Sequence, residues 1–479
     1  MTLWPHWIDN RREVPRDFTE TTPIYNPSTE EVLAEVTLDD GTALEAAIRA
    51  AASAFPEWSA TPVLERARLF FRYRELLERH RQELAANVAR ENGKTLQDAY
   101  QEVGRGIEVV ELAAGAPNLL KGEILTEVAH GVDTTMVRAP LGVVGGITPY
   151  NFPAMIPLWM VPLAVVSGNT FVLKPSERTP MTAMMLAELL AEAGAPAGVL
   201  NIVNGGKPVV DGLLEDPRVR AISFVGSQPV AKYVYETAAR HGKRVQALGG
   251  AKNYHIVLPD ANLEATVDAL MGSAYGAAGQ RCLAASVVVA VGPVADVLID
   301  RLHAQGDQLV LGPGTDPRSQ MGPVIRDAHR QRVLSFIEAG AAAGARLIRD
   351  GRAGVPERGY FVGPTLFDQV SPDMVIAQEE IFGPVLSIIR AKSLEEAVHL
   401  ANRSRFGNTA SLYTQSGGAA RYFRDHIQAG MLGINIGVAA PVAWFPFSGW
   451  KESFYGDLHA TGRDGLEFYT EKRVITERW

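Results

Sequence analysis

The stretch Thr170-Phe171-Val172-Leu173-Lys174-Pro175-Ser176-Glu177-Arg178-Thr179-Pro180 indicates the fold class of this chain. The β-rich run from Thr170 to Leu173 ends at a Lys-Pro turn. A helix-forming run, Met181 to Ala193, follows before the next apolar run, Val199 to Val203. Parallel strands need a crossover connection, which is usually a helix, so this order predicts a parallel α/β unit.

The same pattern recurs on both sides of this unit. Its further strand candidates are Gly142 to Ile147, Ala221 to Val225, Ser286 to Val291, Ala345 to Ile348, Phe361 to Leu366 and Pro384 to Ile389. Its further helix candidates are Asp40 to Ala54, Val63 to Gly93, Val230 to Arg240, Ala295 to Ala304 and Asp327 to Ala343. We therefore predict two α/β units that meet near residue 250, with a cleft between them as the place for chemistry.

Composition limits the classes of protein to consider. The 479 residues are 47% hydrophobic and 21% charged with a net charge of -8, the balance of a soluble protein of two or three domains. No Lys/Arg cluster interleaved with aromatic residues occurs, which argues against nucleic acid as a partner. Pro157 and Pro162 interrupt the most apolar stretch, Ala154 to Leu173, so it predicts a buried helix followed by a strand and no membrane partner.

The only cysteine, Cys282, follows Gly279-Gln280-Arg281 and the small-residue run from Gly272 to Ala278. A lone thiol forms no intramolecular disulfide and no thiolate metal site, and we expect no metal. It is either a buried core residue or a reactive nucleophile, and Arg281 beside it could favour the thiolate. The single cysteine and the lack of a secretory signal in Met1 to Asn10 predict a cytoplasmic or organelle-matrix location.

Two loops at predicted strand ends could bind phosphate. Lys174 ends one strand and could donate to a phosphate or hydroxyl group, while Ser227 opens a helix that it could cap. Both loops also fit ordinary helix starts, and neither contains the G-x-G-x-x-G fingerprint of dinucleotide-binding folds.

Six motifs occur in the order found in aldehyde dehydrogenases, and the chain resembles that superfamily over essentially its whole length. The motifs are Thr148-Pro149-Tyr150-Asn151-Phe152-Pro153, Leu173-Lys174-Pro175-Ser176-Glu177, Phe224-Val225-Gly226-Ser227, Gly279-Gln280-Arg281-Cys282, Glu380-Ile381-Phe382-Gly383-Pro384 and Pro446-Phe447-Ser448-Gly449. Residues 447–457 and 465–470 most resemble the CoA-acylating branch that oxidises methylmalonate or malonate semialdehyde.

The resemblance implies a role for each matching residue. Cys282 would attack the aldehyde, and Asn151 with the backbone N–H of Cys282 would hold the oxyanion. The residues implied for NAD binding are Thr148, Tyr150, Lys174, Glu177, Arg178, Ser227, Gly249 and Glu380. A carboxylate at Glu177 would repel a 2′-phosphate and favour NAD over NADP. The alternative for Glu380 is a solvated surface carboxylate.

One departure from the family pattern concerns the acyl acceptor. Hydrolytic members have a Glu before Leu-Gly-Gly that activates water, whereas this chain has Ala247 before Leu248-Gly249-Gly250. Alanine accepts no proton, and water needs such a base far more than a thiol does. The missing carboxylate predicts transfer of the acyl group to CoA as co-substrate. A degenerate, inactive enzyme is the competing explanation.

Two arginines suggest the substrate class. Arg281 adjoins the nucleophile, and Arg105 matches a helix position that faces the aldehyde pocket in the resembled branch. Together they could clamp the carboxylate of a semialdehyde. The alternative for Arg105 is a surface partner of Glu102 or Glu108. The family would further imply loss of that carboxylate as carbon dioxide or bicarbonate, which gives propionyl-CoA or acetyl-CoA.

The resemblance also implies an aldehyde dehydrogenase-like α/β architecture with two parallel-sheet domains and a small β oligomerisation extension. The NAD-binding domain would comprise 1–126 and 139–246, the catalytic domain 247–445, and the extension 127–138 with 459–479. The strand-like run Glu127 to Arg138 would turn at Gly131-Val132-Asp133 and pair with Lys472 to Glu477. Exposed strand edges there predict a homodimer or homotetramer.

Two other functions fit the same sequence. One is a hydrolytic NAD-dependent dehydrogenase that acts on another semialdehyde with a substitute base. The other is a non-catalytic cofactor-binding protein, because a fold does not by itself imply a function.

Overall fold

The computed structural model describes residues 3–14, 20–39 and 41–479. Its strands are β1 (Leu3–Trp4), β2 (His6–Ile8), β3 (Arg11–Glu13), β4 (Thr21–Asn26), β5 (Glu31–Thr37), β6 (Glu123–Ala129), β7 (Val132–Pro140), β8 (Val143–Ile147), β9 (Thr170–Lys174), β10 (Leu200–Ile202), β11 (Val219–Val225), β12 (Arg244–Leu248), β13 (Asn253–Val257), β14 (Ala285–Val291), β15 (Arg346–Arg349), β16 (Thr365–Asp368), β17 (Val385–Ala391), β18 (Phe406–Gly407), β19 (Thr409–Tyr413), β20 (Met431–Ile434), β21 (Trp450–Lys451), β22 (Phe454–Gly456) and β23 (Thr470–Arg478).

The α-helices are α1 (Thr42–Ala60), α2 (Val63–Arg79), α3 (Arg81–Asn92), α4 (Leu96–Ala114), α5 (Met155–Val166), α6 (Pro180–Glu192), α7 (Lys207–Glu215), α8 (Gln228–Arg240), α9 (Leu263–Tyr275), α10 (Val294–Gln308), α11 (Asp327–Ala342), α12 (Val375–Gln378), α13 (Leu394–Asn402), α14 (Gly417–His426) and α15 (Gly462–Phe468).

Two large sheets organise these elements. The first sheet has the order β22-β12-β11-β8-β9-β10-β2-β3 and is parallel from β12 to β10. The second has the order β15-β16-β17-β14-β13-β19-β20 and is parallel except for β15. Strands such as β9 and β13 are buried at every residue, because parallel sheets are covered on both faces. The predicted α/β class is thereby confirmed.

The apolar stretch from Ala154 to Leu173 folds as predicted, into a buried helix and a strand. All twelve residues of α5 are buried, since a helix that is apolar on every side needs contacts on every side. The strand β9 follows after a short turn. Within the described residues, none of the helices has the length and apolar character needed to cross a membrane.

Two predicted elements differ from the structure. The run from Val63 to Gly93 is two helices, because His80, at φ -97° and ψ 10°, leaves helical geometry between α2 and α3. The predicted strand Phe361 to Leu366 begins only at Thr365, after Pro364, which lacks the N–H that a strand ladder uses. Asp40, the predicted start of the first helix, lies outside the described residues.

A third sheet, β23-β7-β6, stands apart from the two large ones. Its hairpin turns at His130 and Gly131, just ahead of the predicted position, because Gly131 adopts the left-handed φ of 65°. The helix α15, which precedes β23, buries Leu466 and Phe468 in the core around α5. The limits of the NAD-binding, catalytic and oligomerisation regions stay a prediction.

Candidate active site

The predicted cofactor residues other than Glu380 lie at one edge of the first sheet. Thr148 follows β8, Lys174 ends β9, and Ser227 and Gly249 follow β11 and β12. These are carboxyl ends of parallel strands, where α/β sheets collect ligands. From β12 the chain passes within a few residues into β13 of the second sheet, so the two sheets are joined next to this edge.

Cys282 lies in a turn immediately before β14 of the second sheet. Its carbonyl oxygen accepts hydrogen bonds from Nδ2 of Asn253 at 2.9 Å and Nδ2 of Asn408 at 2.8 Å. Two buried side-chain amides thus fix the backbone that carries the thiol.

The segment before Cys282 holds an unusual backbone conformation. Ala277 and Ala278 have φ of 50° and 53°, and Gly279 has φ of 69°. The left-handed region disfavours alanine, so this turn stores strain that its surroundings must offset. A Cβ on Gly279 would collide with the carbonyl oxygen of Gly383, which explains why glycine occupies that position.

The thiol of Cys282 opens onto a cavity of about 270 Å³ that Phe152, Trp159 and Phe447 line on its apolar side. Burial, followed by the negative charge of Glu380, raises the pKa of Cys282 to about 12. Arg281 lowers the pKa of this thiol, but by less than burial raises it. Arg281 thus favours the thiolate as predicted, but burial outweighs it in the protein without ligands.

This raised pKa predicts a steep pH dependence of thiol alkylation. Raising the pH from 7 to 9 should speed the reaction of Cys282 with iodoacetamide about a hundredfold, because both values lie below a pKa of about 12. A free thiol of pKa 8.5 gains only about 25-fold over that range. Mass spectrometry can follow the labelling of the single cysteine. A plateau below pH 9 would contradict the prediction.

Asn151, the predicted oxyanion donor, is buried beside this turn. Its Nδ2 donates to the carbonyl oxygen of Gln280 at 3.0 Å, two residues before Cys282. An amide nitrogen has a second N–H, which leaves one donor for a ligand. The structure thus brings Asn151 next to the backbone that leads into Cys282.

A buried ion pair that the sequence analysis missed supports Asn151. Lys94 Nζ donates to the backbone carbonyl oxygen of Asn151 and to Oε2 of Glu102, both at 2.6 Å. Oε1 of Glu102 accepts from the backbone N–H groups of Ala154 at 2.8 Å and Met155 at 3.2 Å, at the start of α5. The sequence did contain one sign that Glu102 is buried: it lies on the apolar face of α4, three residues after Ala99.

Both predicted substrate arginines line the cavity that contains Cys282. Arg105 donates twice to Glu108, at 2.8 and 2.9 Å, and once to the carbonyl oxygen of Pro441 at 2.5 Å. Arg281 donates to Oδ1 of Asp98 at 2.5 Å. Each guanidinium therefore already has a carboxylate partner, which a substrate carboxylate would have to share or displace. Arg105 thus pairs with Glu108, as the alternative interpretation expects, and also lines the cavity.

Three of the predicted cofactor residues form a charged group after β9. Lys174 Nζ lies 3.1 Å from Oε2 of Glu177. Burial raises the pKa of Glu177, but Lys174, a backbone hydrogen bond and Arg178 together more than offset it, so the net pKa is lowered and the carboxylate is ionised at neutral pH. Arg178 donates to Thr22 Oγ1 at 3.1 Å, and its buried Nε has no hydrogen-bond partner. An unpaired buried donor is a natural contact for a polar ligand.

The helix α8 follows β11, two strands from β9 in the same sheet, and begins with an open amino end. Ser227 occupies the capping position but makes no capping hydrogen bond, contrary to expectation, and its side chain is exposed. Gly249 donates to the carbonyl oxygen of Ser453, and a Cβ there would lie 2.9 Å from the carbonyl oxygen of Glu452. The open helix terminus is suited to a phosphate, and the close approach to Glu452 explains the glycine at position 249.

Glu380, Tyr150 and Thr148 complete the predicted set. Oε1 of Glu380 accepts from the backbone N–H of Ala251 at 2.8 Å, and burial raises the pKa of this carboxyl to about 7. Glu380 is thus not the solvated surface carboxylate of the alternative interpretation. The Tyr150 ring stacks edge-on against Phe382, with centroids 6.1 Å apart. Thr148 is buried, and its N–H donates to the carbonyl oxygen of Lys174.

Ala247, at the position of the missing carboxylate, is fully buried in β12, opposite Phe224 and Tyr455. The carboxylates among the residues that line the cavity are all engaged. Asp98 binds Arg281, Glu108 binds Arg105, and Glu102 binds Lys94. None of these three is placed as an unpaired base for water.

Comparisons with known proteins agree with this geometry. A family model described as the aldehyde dehydrogenase family matches residues 14–475. Malonate-semialdehyde dehydrogenase 2 of Geobacillus kaustophilus (strain HTA426) is 58% identical over 475 residues, which are 99% of this chain and 97% of the relative. Malonate-semialdehyde dehydrogenase of Halalkalibacterium halodurans is 56% identical over 467 residues, 97% of this chain and 96% of the relative.

Solved structures give the same result. The crystal structure of methylmalonate-semialdehyde dehydrogenase from Oceanimonas doudoroffii is similar with a TM-score of 0.98 and 48% identity, covering 100% of this chain and 99% of that one. A Sinorhizobium meliloti 1021 protein assigned as a methylmalonate-semialdehyde dehydrogenase, solved in complex with NAD, is similar with a TM-score of 0.98 and 46% identity, covering 100% and 98%.

Proposed function

The chain belongs to the aldehyde dehydrogenase family, and from that premise we propose that it is an NAD-dependent, CoA-acylating dehydrogenase of malonate or methylmalonate semialdehyde. The observation that carries the proposal is the one cavity that Cys282, Arg105 and Arg281 line together. Relatives named for this activity at about 57% identity over the whole chain support it.

Cys282 performs the covalent step. Its thiolate attacks the aldehyde carbon and forms a thiohemiacetal, whose oxygen receives a hydrogen bond from Asn151 Nδ2 and one from the backbone N–H of Cys282. Departure of a hydride from that carbon leaves a thioester on the sulfur. The thiol pKa of about 12 means that proton removal from Cys282 must be assisted when ligands fill the site.

The residues at the edge of the first sheet fit NAD, which accepts the hydride when bound. The ionised Glu177 would accept hydrogen bonds from ribose hydroxyls and would repel a 2′-phosphate. Nε of Arg178 makes no hydrogen bond and lies 3.7 Å from Oε1 of Glu177. This Nε and the open start of α8 at Ser227 would provide donors for polar groups of a dinucleotide. Glu380 is held by Ala251 N–H, close enough to Cys282 to raise the pKa of the thiol.

Transfer of the acyl group to CoA follows from the lack of a base. Ala247 accepts no proton, and Asp98, Glu102 and Glu108 in the cavity are each held in an ion pair. Hydrolysis therefore lacks assistance, whereas the CoA thiolate attacks the thioester without it. The new thioester bond forms as the bond to Cys282 breaks and returns the thiolate.

The acid end of the substrate is bound by Arg105 and Arg281. A carboxylate between two guanidinium groups gains charge-assisted hydrogen bonds that a neutral aldehyde cannot make. Once the thioester exists, that carboxylate is β to a carbonyl, so it leaves as carbon dioxide or bicarbonate while the α-carbon takes up a proton. Malonate semialdehyde then yields acetyl-CoA, and methylmalonate semialdehyde yields propionyl-CoA.

Steady-state NADH formation with and without CoA tests this proposal. With NAD and malonate semialdehyde alone, we expect one burst of NADH per Cys282 and little turnover. Addition of CoA should start turnover, because only then is the thioester removed. Steady-state NADH formation at the same rate without CoA would overturn the proposal, and absence of any burst would favour a non-catalytic protein.

A hydrolytic dehydrogenase remains the second candidate, because one observation favours it. Glu380 lies near Cys282 and has a pKa of about 7, which suits a general base at neutral pH. This alternative predicts free acid as the product and a loss of steady-state turnover in Glu380→Gln with the NADH burst retained.

We also propose that the chain assembles as a homodimer or homotetramer through the third sheet. Val474 on β23 and Ile124 and Leu125 on β6 expose about 65% of their surface, and β6 leaves one edge of the sheet unpaired. Val474→Glu should shift the protein to a smaller species in light scattering coupled to size exclusion. Leu64→Glu on α2 is the matched control, since Leu64 is also an exposed apolar residue but lies outside the third sheet. An unchanged mass for Val474→Glu would contradict this assignment.

A further inference from the structure

Asp98 contacts both ends of the short segment that leads into the nucleophile. Its Oδ2 accepts from the backbone N–H of Ala277 at 3.1 Å, where the left-handed turn begins. Its Oδ1 accepts from Arg281 Nη2 at 2.5 Å, one residue before Cys282. A single carboxylate therefore ties residues 277 and 281 to helix α4.

The Asp98 carboxylate points away from its own helix, unlike that of an ordinary acidic residue in a first helical turn. The hydroxyl of Thr95 caps the helix by accepting from the N–H of Asp98 at 3.1 Å, as in a capping box. In such a box the acid reaches back to the capping residue. Here the Asp98 carboxylate points to another part of the chain, nearly two hundred residues away.

Arg281 is seated so that its charge stays beside both the cavity and Asp98. A Cβ on Gly276 would lie 2.7 Å from Nη1 of Arg281, so any larger residue would require the guanidinium to shift from this position. Nη1 also donates to the carbonyl oxygen of Gly272 at 3.3 Å. The Arg281 and Asp98 side chains are about 18% and 17% exposed, so water screens this ion pair only in part.

We propose that Asp98 is a positioning residue that fastens the Ala277–Arg281 turn under Cys282 and limits how much of the positive charge of Arg281 the acid end of the substrate meets. The proposal rests on the proposed function for its substrate. The strained turn gives it a physical reason, because left-handed alanines persist only where neighbouring contacts hold them. The N–H of Ala277 and the guanidinium of Arg281 are two such contacts.

Two substitutions separate the effect of Asp98 on the Ala277–Arg281 turn from its effect on the charge of Arg281. Asp98→Asn keeps an oxygen that accepts from Ala277 N–H but removes the negative charge, whereas Asp98→Ala removes both. Alkylation of Cys282 in the protein without ligands is measured with neutral iodoacetamide and with anionic iodoacetate. Asp98→Asn should raise the ratio of iodoacetate to iodoacetamide rates about threefold, because the charge of Arg281 is no longer offset. Asp98→Ala should also slow iodoacetamide about tenfold, as the turn loosens.

Kinetics with malonate semialdehyde give a second readout. Asp98→Asn should lower KM and keep kcat within about threefold of the parent. Asp98→Ala should lower kcat about tenfold, because it also loses the hydrogen bond to Ala277 that asparagine keeps. Glu111→Gln on the same helix is the matched control, since Glu111 pairs with Arg74 at 3.0 Å outside the cavity. Parent-like alkylation rates and ratios in both Asp98 variants would overturn the proposal.

The alkylation readout needs no aldehyde and no CoA. If the predicted ratios appear but the parent protein does not oxidise malonate semialdehyde, the proposed function fails and the positioning role of Asp98 stands. If the parent turns over as proposed and the ratios do not change, the role of Asp98 fails alone.

Discussion

Cys282→Ala should abolish both the NADH burst and steady-state turnover, a loss of at least about 10⁴-fold. No other cysteine exists to replace the thiol, and alanine offers no nucleophile. Rapid-mixing absorbance of NADH measures the burst directly. A burst of normal size in this variant would remove the thiol from the mechanism.

The protein should fold normally without this sulfur. Cys282 is only partly buried, and its carbonyl contacts with Asn253 and Asn408 are made by the backbone, which the substitution leaves in place. We expect the free energy of unfolding to change by about 1 kcal/mol. NAD binding by Cys282→Ala, followed by calorimetry, serves as the control that the cofactor edge is intact.

Asn151→Ala should lower kcat by about 10² to 10³-fold, which corresponds to the loss of one oxyanion donor. The side-chain amide of Asn151 is buried and donates to the backbone before Cys282. Lys94, which is paired with Glu102, donates to the backbone carbonyl oxygen of Asn151. Because the oxyanion develops mainly in the transition state, we expect KM to change much less than kcat.

Asn201→Ala is the matched control for Asn151→Ala. Asn201 is also fully buried, and its Nδ2 also donates to a backbone carbonyl, that of Gly198 at 2.8 Å, but it lies in β10. Both variants should lose about 1 to 3 kcal/mol of stability, because each leaves a buried carbonyl oxygen without its donor. Only Asn151→Ala should lose kcat. Equal losses of kcat in the two variants would mean that Asn151 acts through stability alone.

Much of the framework around this site is predictable from local sequence. The run from Thr170 to Pro180 comprises a buried strand, a turn and the start of a helix. Short-range sequence patterns predict each of these elements, and the structure contains them. The cofactor residues follow these strand ends, so their shared edge was predictable as well. Their individual roles rest on the resemblance and stay predictions.

Long-range charge pairing was not predictable. Arg281 pairs with Asp98 and Lys94 contacts Asn151, across 183 and 57 residues, and no local pattern encodes such partners. The left-handed alanines 277 and 278 run against intrinsic preference, because tertiary contacts override it. The raised pKa of the Cys282 thiol was not predictable either, because burial, which the sequence does not show, outweighs the adjacent Arg281.

The identity of the acyl product distinguishes transfer to CoA from hydrolysis. Malonate semialdehyde, NAD and CoA are incubated with the protein, and NADH, acetyl-CoA and free acid are quantified together by absorbance and mass spectrometry. Because Ala247 provides no base and the cavity carboxylates are paired, we predict one acetyl-CoA for each NADH. Free acid in place of the thioester, with NADH formed at an undiminished rate, would contradict the account.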